Sequence, residues 1–115
     1  MLLKSAIVYM LFFASLSASM ASRAELPKDA VWIDVRTPGE YSQGHLQQAQ
    51  SIPFDSIEAG IARLRLPKDT PIYLYCAAGG RAEAAKQRLE AIDYRNVTNV
   101  GSLENARQIA AEDSR

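Results

Sequence analysis

A chain of 115 residues has room for one compact domain, and an apolar fraction of 48% supplies the material for a core. The 13 basic and 13 acidic residues cancel, which excludes the clustered basic excess of a nucleic-acid-binding surface. No run of like charges offers an interaction tail.

The first segment reads as a leader. Lys4 is the only charge before Arg23, and Ile7 to Leu16 form an apolar run, I-V-Y-M-L-F-F-A-S-L. That is the length of a signal-peptide core and well short of the ~20 residues needed to span a bilayer. Ser19 and Ala21 give the small-x-small pattern a signal peptidase needs, with Ser22 and Ala24 as a second option. The pattern speaks against a lipoprotein, whose cleavage point needs a cysteine, since Cys76 lies far downstream. The expectation is a bacterial Sec-type signal peptide over residues 1–21 and a single domain over 22–115. The mature protein would then be periplasmic, with no stable membrane association after cleavage. One cysteine cannot form an intramolecular disulfide, so in an oxidising compartment it has to be buried or used.

The domain itself alternates strand and helix. Val31-Trp32-Ile33-Asp34-Val35 is short, β-branched and mostly apolar, as a buried parallel strand would be. Thr37-Pro38-Gly39-Glu40 then opens a helix, with Thr37 as cap, Pro38 at the first helical position and Glu40 closing a capping box. Gly44 ends it. Ser51-Ile52-Pro53 is a brief extended piece. Asp55 is expected to cap a second helix, with Glu58 three residues on and Ile57, Ile61 and Leu64 on one face; Pro67 follows its end. Ile72-Tyr73-Leu74-Tyr75 is the most central-looking strand. A helix follows from about Arg81 to Ala91, with Ala82, Ala85, Leu89 and Ile92 inward. Val97-Thr98-Asn99-Val100 is a last strand. Gly101 turns the chain, and Ser102 caps a final helix through Leu103, Ala106 and Ile109. The alternation implies an α/β domain with a mostly parallel sheet covered by helices.

The chemistry is concentrated in Tyr75-Cys76-Ala77-Ala78-Gly79-Gly80-Arg81. A strand ends, a cysteine follows at once, small residues turn the chain, and a helix begins. In open α/β sheets, sites lie at the carboxyl ends of strands, where Cys76 falls. Successive backbone N–H groups of such a loop can form an anion-binding nest, and the next helix adds its positive end. Both favour a thiolate, so a lowered pKa is expected for Cys76. The small side chains of Ala77, Ala78, Gly79 and Gly80 let the loop close round the sulfur and leave room for a second sulfur or an oxyanion. Arg81 either fixes the loop or meets an anionic substrate.

Together these residues make the chain resemble the single-domain rhodanese family, in particular its small periplasmic phage-shock-type members. The resemblance runs from about Ala30 to Ala106. Its first block is Asp34-Val35-Arg36, Glu40-Tyr41, Gly44-His45-Leu46, Ala49 and Ile52-Pro53. Its second is the C-x-x-G-x-R loop from Cys76 to Arg81, and its third is Tyr94, Val97, Asn99 and Gly101. The resemblance implies a central, mostly parallel five-stranded sheet flanked by helices on both faces. It also implies sulfane-sulfur transfer through a persulfide on Cys76, with Ala77, Ala78, Gly79, Gly80 and Arg81 binding the substrate. The expected donor is thiosulfate and the acceptor cyanide or a thiol, with neither metal nor organic cofactor. One cysteine and one histidine are too few for the usual zinc ligand set. The chain departs from the family pattern at Gln48, Asp93 and Ser102, where glycines are usual, and at Ala82, where serine is frequent.

Three rivals stand beside that reading. Phosphatases and arsenate reductases of related fold use a loop one residue longer between Cys and Arg. Non-catalytic rhodanese modules typically lack the cysteine. A sulfur carrier or regulatory module loaded by a protein partner is the alternative that the residues leave open. His45 and the Asp34 and Arg36 pair read as structural rather than catalytic.

Overall fold

The computed structural model describes residues 26–113, so the expected leader and both cleavage options lie outside the described residues. The elements are β1 (Val31–Asp34), α1 (Pro38–Ser42), β2 (Gln50–Ser51), a 3-10 turn (Phe54–Ser56), α2 (Ile57–Leu64), β3 (Ile72–Cys76), α3 (Gly80–Ala91), β4 (Val97–Ser102) and α4 (Leu103–Asp113). Among the described residues the sheet has four strands, all parallel, in the order β2-β1-β3-β4. The expected fifth strand is not among them. It came from the resemblance alone, whereas β1, β3 and β4 are marked by apolar runs and β2 falls at the brief extended piece.

Strand side chains alternate between two cores. Ile33, Val35, Ile72, Leu74 and Cys76 face one side, where Ile57 and Ile61 of α2 and Ala82, Ala85 and Leu89 of α3 cover them. Trp32, Tyr75 and Val100 face the other, with Leu46, Ala49 and Ala106 of α4. Helices thus cover both faces. Gly60 brings α2 against the sheet edge, because a Cβ there would be driven into Ile52 Cγ2.

Helix ends follow local chemistry. The capping box of α1 is complete: Glu40 N–H donates to Thr37 Oγ1 at 3.1 Å and Thr37 N–H to Glu40 Oε1 at 2.9 Å. Asp55 does not cap α2. Pro53, with φ near its fixed value at −57°, starts a 3-10 turn, and the position before α2 falls to Ser56, which makes no side-chain capping bond. Arg65, in the left-handed region at φ 52°, closes α2. Asp93 occupies the left-handed stop after α3 at φ 78°. There Tyr94 N–H reaches Leu89 O at 3.1 Å and Asp93 N–H reaches Glu90 O at 3.0 Å, a Schellman closure made without glycine. Ser102 caps α4 as expected, accepting from Asn105 N–H at 3.1 Å.

Candidate active site

Cys76 is the last residue of the central strand β3, at its carboxyl end, and is only 1% exposed. Its sulfur sits at the head of α3. Gly79 N–H donates to Sγ at 3.0 Å and Ala82 N–H at 3.4 Å. Ala82 is in the first turn of α3, where backbone N–H groups have no partner inside the helix. Gly79 precedes the helix and offers no capping side chain, so the sulfur takes the place of a cap. Burial pushes the Cys76 thiol up, but N–H groups of Ala82, Ala78, Gly79 and Arg81 outweigh it and hold the thiol below its usual value.

The loop keeps this shape for identifiable reasons. Gly79 has φ 106°, a conformation side chains disfavour, and its Cα side closes on the Gly101 backbone. Asn99 on β4 fastens the contact from the other side. Its Nδ2 donates to Gly79 O at 3.0 Å and to Glu83 Oε1 at 3.1 Å, while its Oδ1 accepts from Gly101 N–H at 2.9 Å. The β3–β4 register slips by one residue here, Leu74 opposite Asn99 but Cys76 opposite Ser102, and Gly101 absorbs the bulge at φ 90°.

Arg81 turns to α1. Its NH1 and NH2 meet Glu40 Oε1 at 2.8 Å and Oε2 at 3.1 Å, a two-pronged pair across the mouth of the loop. Among the residues expected to bind substrate, Gly79 donates its N–H to the sulfur, the N–H groups of Ala78 and Arg81 help to lower the thiol, Ala77 lies exposed on the loop, and Gly80 lies exposed at the start of α3. Two participants were named in the sequence but not as site residues. Ala82 contributes an N–H that its place in the helix's first turn would have revealed. Asn99 acts through a contact across the sheet, for which linear spacing gives no signal.

A profile of the rhodanese-like domain matches residues 18–107. The chain belongs to the rhodanese-like family. It is 38% identical over 74 residues to thiosulfate sulfurtransferase PspE of Escherichia coli K12, covering 64% of this chain and 71% of that one. A sulfurtransferase of Allochromatium vinosum is 32% identical over 84 residues, covering 73% and 77%. The tRNA uridine(34) hydroxylase of Salmonella paratyphi B is 33% identical over 90 residues, but the matched part is 26% of that longer protein. Among solved structures, a rhodanese with anions from E. coli superposes with a TM-score of 0.63 at 37% identity, covering 66% of this chain and 89% of that one.

Within this rhodanese-like domain the remaining motif residues are framework. Asp34 is fully buried and accepts from Arg36 N–H at 2.9 Å, from Nε at 3.0 Å and from NH2 at 2.7 Å; NH2 also reaches Gly44 O at 2.7 Å. Tyr75 hydroxyl accepts from Leu46 N–H at 3.1 Å. Burial pushes that phenol up to about 12, the Leu46 N–H pulls it down, and the Asp34 carboxylate adds to the rise. His45 stacks on Tyr41 with centroids 3.6 Å apart, and its Nδ1 lies 2.8 Å from Tyr41 O, which places the proton on Nδ1.

The lowered thiol has a direct readout. A thiol held below its usual value is anionic at a lower pH, so alkylation of Cys76 by iodoacetamide reaches half its limiting rate below ~8.5, the midpoint of an ordinary cysteine. A midpoint at or above the ordinary one would show that burial wins over the loop N–H groups.

Proposed function

We propose that this domain is a thiosulfate sulfurtransferase working by double displacement through Cys76. The observation that carries the reading is the sulfur of Cys76 set at the head of α3 and held by loop N–H groups. In the first half-reaction the Cys76 thiolate attacks the outer sulfur of thiosulfate. The S–S bond of the donor breaks, and sulfite leaves with its electron pair. A persulfide remains, its charge now on the outer sulfur and facing the same N–H groups. In the second half-reaction cyanide or a thiolate attacks that outer sulfur, and the Cys76 thiolate is released. Ala77, Ala78, Gly79, Gly80 and Arg81 form the substrate cradle of this proposal. The 38% identity to a thiosulfate sulfurtransferase supports it. Export by the segment over residues 1–21 and work in the periplasm belong to the same proposal, on the strength of the apolar run and the small-x-small pattern; no helix among the described residues is long and apolar enough to cross a membrane.

The test is a mass measurement. Incubated with thiosulfate and freed of excess reagent, the protein is expected to gain one sulfur atom, about 32 Da, and to lose it to cyanide as thiocyanate. No gain on a folded protein whose Cys76 still reacts with alkylating reagents would reject thiosulfate as donor. A protein partner would then be the source of the sulfur.

A further inference from the structure

Two ion pairs flank the Cys76 loop. Arg36 is held by Asp34 and the Gly44 carbonyl, with the Arg36 side chain 11% exposed and that of Asp34 fully buried. Arg81 is held two-pronged by Glu40, with side chains 30% and 37% exposed. Arg81 senses the catalytic sulfur as well as Glu40: hydrogen bonding to Glu40 raises it first, and the nearby Cys76 adds to that rise. Glu40 does not swing freely. Its Oε1 also accepts from Thr37 N–H at 2.9 Å and Thr37 Oγ1 at 3.1 Å, so the capping box that begins α1 aims a carboxylate at the mouth of the Cys76 loop. Arg81 first, then the Thr37 N–H, hold that carboxyl at about 2, so it is ionised throughout the neutral range.

A dianionic donor approaching Cys76 therefore meets a guanidinium whose charge is already balanced. We propose that Glu40 is a specificity-determining residue: by occupying Arg81 it keeps the mouth of the Cys76 loop near neutrality, and so weakens capture of dianionic donors relative to uncharged ones. For its place in sulfur transfer the inference rests on the reading above, but its physical content is the potential at Cys76. The partners are partly solvated, so the effect shrinks with salt.

Two alkylating reagents of nearly equal size and the same leaving group isolate that potential. Iodoacetate carries a charge and iodoacetamide does not. The readout is the ratio of their rate constants at Cys76 in the full chain, at low ionic strength. Glu40→Gln removes the charge and keeps the capping box, since glutamine also serves at that position. The ratio is expected to rise roughly 3- to 10-fold in Glu40→Gln, with the gain shrinking in ~0.5 M salt, and the KM for thiosulfate to fall in parallel. In Arg81→Gln, which leaves Glu40 unbalanced, the ratio is expected to fall. An unchanged or lower ratio in a folded Glu40→Gln protein overturns the proposal, as does a ratio that fails to fall in Arg81→Gln. Absence of thiosulfate turnover in the unaltered protein would reject the donor assignment alone, because the alkylation ratio reads Glu40 without it.

Discussion

Replacing Cys76 with serine is expected to lower thiocyanate formation from thiosulfate and cyanide by about ten-thousand-fold or more, the scale on which covalent catalysis loses its nucleophile. The attacking species is a sulfur anion, and a serine hydroxyl stays protonated where the cysteine is ionised. Serine is the informative replacement because it keeps an acceptor at the head of α3, where Gly79 and Ala82 N–H groups converge. The variant should therefore stay folded, less the support that the thiolate charge gives α3, while losing both turnover and the persulfide mass. Steady-state turnover and intact mass together decide it. Residual turnover within tenfold of the unaltered chain would place the nucleophile elsewhere.

The second large effect is on stability. Asp34→Asn is expected to cost about 3–5 kcal/mol, because it leaves the Arg36 guanidinium without the carboxylate that offsets its burial. Asp34 is fully buried and takes hydrogen bonds from Arg36 N, Nε and NH2. The same cluster joins the carboxyl end of β1 to the Gly44 carbonyl, so its loss loosens the α1–β2 connection as well. For a domain of this size the loss corresponds to a fall in Tm of about 12 °C or more. Denaturant unfolding and a thermal melt both measure it. A loss below about 1 kcal/mol would mean that Arg36 finds another acceptor or reaches water.

Much of the fold was legible because it is local. Three apolar runs became β1, β3 and β4, the brief extended piece became β2 one residue early, and Thr37, Pro38 and Glu40 built the expected cap of α1. The Cys76 loop was legible for the same reason: strand, cysteine, small residues and helix are contiguous. The departures trace to contacts that sequence spacing does not encode. Arg81 and Glu40 are 41 positions apart and meet only because α1 and α3 lie at the same end of the sheet. Asp55 was expected to cap on residue type and its spacing to Glu58, but the proline two residues earlier set a 3-10 turn first. The missing glycine after α3 proved immaterial, since aspartate tolerates the left-handed region at Asp93.

The sulfur that caps α3 makes the charge on one atom part of the folding equilibrium. The folded chain holds the Cys76 thiol below its unfolded value, so proton linkage stabilises the native state most fully above the unfolded thiol's pKa. That contribution drains away as the pH falls through the lower, folded value. Any chemistry that quenches the charge, alkylation included, withdraws the same support from the first turn of α3. The domain's cohesion and the ionisation of its reactive atom are thus one equilibrium seen from two sides.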